Sequence, residues 1–153
     1  MQTETMTLRE LTVRYSVKKD CDGRSVVVGR MLIKPTETAT TLMTLLQDEP
    51  SEVFAILCLT TKLRVIASHE VSRGTLDSAL VHQREVFRAA LLSNAACLVA
   101  CHNHPSGDPT PSADDVAVTR RLVAAGEVLG IPVLDHIIIG DARYFSFKEA
   151  GSL

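Results

Sequence analysis

The stretch Ala95-Ala96-Cys97-Leu98-Val99-Ala100-Cys101-His102-Asn103-His104-Pro105-Ser106-Gly107-Asp108-Pro109-Thr110-Pro111-Ser112-Ala113-Asp114-Asp115 carries more structural and chemical information than any other part of the chain. It begins as an apolar run, Ala95 to Cys101, that reads as a strand. The run leads into two histidines two residues apart. Side chains at i and i+2 share one face of a strand, so both imidazoles can reach one ion. Pro105, Pro109 and Pro111 restrict the backbone of the loop that follows, which predicts a defined wall beside the ion. Ser112-Ala113-Asp114-Asp115 then opens a helical pattern and puts a carboxylate in the first turn. Two imidazoles and one carboxylate are the ligand set of many catalytic zinc sites, which keep a fourth position open.

Outward from this stretch, apolar spacing predicts alternating strands and helices. Upstream, Val53 to Leu59 is a continuous apolar run and predicts a buried strand. Thr60-Thr61-Lys62 turns it into a second strand, Leu63 to Val71. Ser78 to Ser93 predicts a helix with Val81, Val86, Ala89, Ala90 and Leu91 on its apolar positions. Before these, the helical pattern from Pro35 carries Ala39, Leu42, Met43 and Leu46 and stops near Asp48-Glu49-Pro50. Residues 8–17 alternate as a half-buried strand, 20–23 form a turn, and 25–33 are extended. Downstream, Ser112 to Leu129 is an amphipathic helix with Val118, Leu122, Ala125 and Leu129 at helical spacing, closed by Gly130. Val133 to Ile139 and Arg143 to Phe147 are further strands. This interleaving predicts a mixed α/β layer fold, with a boundary between residues 46 and 52 that sets 1–46 apart as a strand-rich accessory segment.

The 153 residues carry a formal charge of −2, which gives no general basic footprint for nucleic acid. Apolar residues at 46% and charged residues at 22% are ordinary for a soluble globular chain. No run is long enough to span a membrane. The start, Met1-Gln2-Thr3-Glu4, lacks the basic-then-apolar order of a secretory signal, so a cytoplasmic protein is expected. Of the four cysteines, Cys58, Cys97 and Cys101 lie in apolar runs and read as buried free thiols. Cys101 adjoins His102 but should face the other way.

The spacing His102-x-His104, then Ser112 and Asp115, matches the JAMM metalloprotease motif. The wording around it is narrower. His104-Pro105-Ser106-Gly107-Asp108-Pro109, Asp135-His136-Ile137-Ile138-Ile139-Gly140 and Tyr144-Phe145-Ser146-Phe147 resemble the RadC-like JAB/MPN family over roughly 52–153. The resemblance implies an α/β/α JAB/MPN domain over 47–153, similar in architecture to cytidine deaminases. It implies zinc held by His102, His104 and Asp115. One residue along a helix is about 100° round, so Asp114 and Asp115 cannot both face the ion, and the motif favours Asp115. It also implies that Glu52, ahead of the first core strand, is the general base, with Glu85 and Glu70 as rivals. Ser112 would hydrogen-bond the water or the developing oxyanion, and also fits an N-cap. His136 is either a group supporting a ligand or a core histidine. Asp108 reads as a loop residue, and His69 and His82 as surface residues.

These residues point to a zinc-dependent hydrolase, and the resemblance implies that it acts on a peptide or isopeptide bond of a peptide or protein substrate. The resemblance adds a link to DNA repair. Larger RadC-type proteins carry an N-terminal helical segment where this chain starts strand-rich. The sequence contains no basic stripe, helix-hairpin-helix glycine pattern or cysteine-rich finger. The alternative class is a non-catalytic JAB scaffold or DNA-metabolism accessory protein with a structural metal. A nucleoside deaminase shares the fold class but would need a Pro-Cys-x-x-Cys ligand pair, which is lacking.

Overall fold

The computed structural model describes residues 29–46, 48–74 and 81–153. The strand expected at 8–17, the turn at 20–23 and residues 25–28 of the extended 25–33 lie outside the described residues. Among the described residues eight elements follow in order: α1 (Pro35–Leu46), β1 (Val53–Leu59), β2 (Val65–Arg73), α2 (Gln83–Leu92), β3 (Cys97–Asn103), α3 (Ala113–Leu129), β4 (Val133–Ile139) and β5 (Tyr144–Ser146). The strands form one mixed sheet in the order β2-β1-β3-β4-β5. Only β3 and β4 run parallel, and α3 is the crossover that such a pair requires.

The sheet is covered on both faces, so the fold is the expected three-layer α/β/α arrangement. On one face Ala39, Leu42 and Leu46 of α1 pack with Leu57, Val99, Cys101, Ile137 and Ile139. On the other, Val86, Phe87 and Ala90 of α2 and Val118 and Leu122 of α3 pack with Phe54, Ile56, Leu98 and Ala100. β1, β3 and β4 are central and buried on both sides, which is why they read as continuous apolar runs rather than alternating ones.

The structure shifts several boundaries. β2 starts at Val65 rather than Leu63, because Leu63 sits at φ 58 and closes a turn. Thr60 holds that turn, its hydroxyl accepting from the Lys62 and Arg64 amides. β3 runs to Asn103 and so includes His102, while Ala95 instead binds back to Ala90 at the end of α2. α2 begins at Gln83; Val81 and His82 precede it, with Val81 buried in the core and His82 extended. Leu91 and Leu129, expected on apolar faces, are exposed in the last turns of their helices. Gly126 makes the close contact of the α3 end instead: a Cβ there would sit 2.6 Å from the Ile131 carbonyl.

Candidate metal centre

The site forms where the C-terminal end of β3 meets the first turn of α3 and the entry to β1. His102 pairs in register with Phe54, and its ring stacks on that phenyl at 5.8 Å between centroids. His104 lies one residue past β3, its amide still donating to the Ile139 carbonyl. Alternation along the extended chain turns both imidazoles to the α3 side, while Cys101 faces α1. Burial raises the Cys101 thiol to about 12 and Cys58 to about 11, so neither is a thiolate near neutral pH. Cys97 is also a buried free thiol.

Ser112 is the N-cap of α3, and a complete capping box joins it to Asp115. The Asp115 amide donates to Ser112 Oγ, and the Ser112 amide and hydroxyl both donate to Asp115 Oδ2 at 2.7 Å. The box thus aims Asp115 inward. Asp115 is buried, whereas Asp114 is exposed. Asp115 Oδ1 lies 3.1 Å from His102 Nε2, and Oδ2 lies 3.4 Å from His104 Nε2. Burial opposes ionisation of Asp115, but the two histidines beside it outweigh it and hold the carboxyl well below its ordinary range.

The tautomers follow from partners that can only accept. His104 Nδ1 is 2.7 Å from the Asp108 carbonyl, so it donates, leaving Nε2 as the basic nitrogen. Thr119 donates its single hydroxyl proton to the Asp115 carbonyl at 2.7 Å. It must then accept from His136 Nδ1 at 2.6 Å. His136 is fully buried, stacked on Phe147 and edge-on to Phe54. A charged ring buried between two phenyl groups with no carboxylate bonded to it would be costly, so His136 is neutral. Its Nε2 therefore accepts from His102 Nδ1 at 2.9 Å, and His102 also presents a bare Nε2.

Two lone pairs thus face each other 3.0 Å apart beside a carboxylate. A metal ion between them satisfies that arrangement, and without one a proton on His104 Nε2, which the Asp115 carboxylate favours, does so. Ligands at about 2.0–2.1 Å in tetrahedral geometry stand about 3.3 Å from one another, close to the 3.0, 3.1 and 3.4 Å found here. The donor set therefore fits a divalent ion. Glu52, His102, His104 and Asp115 form the one such group among the described residues, their ligand atoms all within 4.8 Å.

Glu52 lies at the edge of this cluster, with Oε1 3.9 Å from His102 Nε2. Its rivals are turned elsewhere: Glu85 pairs with Arg84 and Arg88, and Glu70 with Arg73. Asn103 holds the chain around Glu52, accepting from the Val53 amide and donating to the Glu49 and Ser51 carbonyls. Asp108 is exposed in an Asx turn with Thr110, and His69 and His82 are exposed. The loop 105–111 is fastened through Gly107. The Gly107 amide donates to the His104 carbonyl, and the Asp141 amide to the Gly107 carbonyl. With 48–50 and 139–142 it walls a cleft of about 480 Å³ beside His104. Asn103 and Thr119 escaped the sequence reading. Asn103 stands between the two histidines and Thr119 one turn after Asp115, and the sequence offered no other signal for either.

The chain is similar to known proteins along most of its length. The chain is 42% identical to a UPF0758 protein of Clostridium perfringens over 147 residues, which is 96% of this chain and 62% of that protein. It is 48% identical to a UPF0758 protein of Desulforamulus reducens over 80% of this chain and 54% of the relative. It is 54% identical to one of Pelobacter propionicus over 71% of this chain and 47% of the relative. The chain therefore spans about half to three-fifths of the length of these curated relatives. Residues 32–152 match the RadC-like JAB domain profile, and the chain belongs to that family.

Proposed function

We propose that this domain is a zinc-dependent hydrolase of the JAMM type that cleaves a peptide or isopeptide bond. The observation that carries the reading is the convergence of two bare imidazole nitrogens and a carboxylate, with a second carboxylate, Glu52, at their edge. His102 and His104 would hold the ion through Nε2 and Asp115 through its carboxylate. When bound, zinc supplies Lewis acidity and brings the pKa of a water to about 7. Glu52 takes the proton of the attacking water and returns it to the leaving amine. Ser112 Oγ–H donates to the developing oxyanion, which requires it to leave Asp115 Oδ2. The cleft beside His104 seats the chain on one side of the bond.

The test is a screen of zinc-loaded protein against peptide- and isopeptide-linked substrates and against single- and double-stranded DNA. The reading expects amide hydrolysis. Glu52→Gln should keep its zinc and lower the rate by roughly 10²–10⁴, the range of general acid–base assistance. Cleavage of DNA alone, or an unchanged rate in Glu52→Gln, contradicts it. The link to DNA repair belongs to the same proposal and enters through the DNA arm of that screen.

A further inference from the structure

His136 and Thr119 lie outside the four residues that surround the ion position, yet they decide what His102 offers to it. A neutral His102 has two ways to place its ring proton. With the proton on Nε2 it would donate to Asp115 Oδ1 at 3.1 Å, a charge-assisted bond that engages two ligand atoms at once. With the proton on Nδ1 it donates to His136 and leaves Nε2 bare. The second arrangement requires His136 to present an acceptor, and His136 does so only while its own proton is on Nδ1. Thr119 ensures that, because its hydroxyl is committed to the Asp115 carbonyl and can only accept from the ring. The Phe54 and Phe147 rings fix the plane of His136. The chain of bonds thus closes on the backbone of Asp115 itself.

We propose that His136, backed by Thr119, is a positioning residue that holds His102 in the one tautomer able to bind a metal and denies it the hydrogen bond to Asp115 that would mask the site. The inference rests on the reading of this cluster as a metal site. It also places a polar pair inside an apolar layer where packing alone calls for none, since Ile56, Ala100, Val118 and Leu122 surround that layer with apolar groups.

The test combines zinc affinity, measured by competition with a chromophoric chelator, with nitrogen NMR of the histidine rings in the metal-free protein. The wild type should show a protonated Nδ1 and a bare Nε2 on His136. His136→Phe keeps the ring stack but cannot accept from His102, and should bind zinc about 10–100-fold more weakly, the usual cost of losing such support. His136→Gln offers an acceptor oxygen and should recover most of that loss. Thr119→Val keeps the shape without the hydroxyl and should mix the His136 tautomers and weaken zinc binding, whereas Thr119→Ser should do neither. Wild-type zinc affinity in Thr119→Val, or a proton on His136 Nε2 in the wild type, overturns the inference. If the wild type takes up no zinc, the metal reading falls, and the nitrogen signals of wild type and Thr119→Val still decide the tautomer claim. Should His136→Phe fail to fold, the Thr119 pair carries the test alone.

Discussion

At the scale of single residues, the site is a set of proton positions dictated by partners that cannot donate. The Asp108 carbonyl fixes His104 and the Asp115 carbonyl, through Thr119 and His136, fixes His102. The convergence of the candidate ligands was legible in the sequence because HxH, Ser112 and Asp115 are local and sit on predictable strand and helix positions. The choice of Asp115 over Asp114 was equally legible, since the capping box aims the third helical residue back at the cap. The support was not. His136 is thirty-four positions from His102, and only the parallel pairing of β3 with β4 brings the two together. A pH dependence follows from His104. The Asp115 carboxylate raises its pKa above 6.5, against burial, with the Asp108 carbonyl adding to the rise. Without metal, Nε2 therefore keeps a proton to a pH above that value, and an incoming ion must displace it. Apparent zinc affinity should rise with pH through that range and flatten once His104 is already neutral. Calorimetry in two buffers of different ionisation enthalpy should detect proton release that fades as pH rises. An affinity that is flat from about pH 6 to 8 contradicts this account.

At the scale of elements, three connections place the groups. Asn103 ties the end of β3 to the entry of β1, which sets Glu52 beside the cluster. Asp135 accepts from Ser146 Oγ and from the His136 and Lys148 amides, and so fastens β4 to the turn after β5. The Asp135-His136 pair thus serves two faces: the carboxylate holds the C-terminal turn while the imidazole supports the site. Gly140 closes the motif. A Cβ there would stand 2.4 Å from the Gly107 carbonyl and 2.7 Å from Pro109 Cδ, so only glycine lets the 105–111 loop lie against the end of β4. Gly140→Ala should push the loop away and cost about 1–3 kcal/mol, as overpacking does. Hydrogen exchange should then show lost protection at the Asp141 amide, which donates to the Gly107 carbonyl across this contact. An unchanged exchange pattern and melting temperature in that variant would refute the packing argument. Element existence was readable from apolar runs, but boundaries were not. Propensity cannot foresee that Leu63 takes a left-handed conformation, or that Ala95 bonds back to α2.

At the scale of the whole molecule, among the described residues one mixed sheet carries a helix on one face and two on the other, and the site sits where the α3 crossover meets the sheet end. None of the helices among the described residues is long and apolar enough to cross a membrane. The three-layer fold was legible because the central strands, buried on both sides, read as unbroken apolar runs. Strand order was not, since it depends on pairings far apart in sequence, such as Phe54 with His102. An ion joining β3 to α3 links two layers and binds only the folded chain. It should therefore raise stability by about 2.7 kcal/mol when free zinc is 100 times its dissociation constant. A melting temperature that does not move with added zinc and does not fall with chelator would count against a site formed by the fold. The central claim, that His102, His104 and Asp115 hold one metal ion, is tested most directly by zinc-edge anomalous diffraction from crystals of zinc-loaded protein. The account predicts one strong peak at about 2.0–2.2 Å from His102 Nε2, His104 Nε2 and an Asp115 oxygen, and its loss in His104→Ala. Absence of a peak between these three side chains, or a peak of full height in His104→Ala, would contradict it.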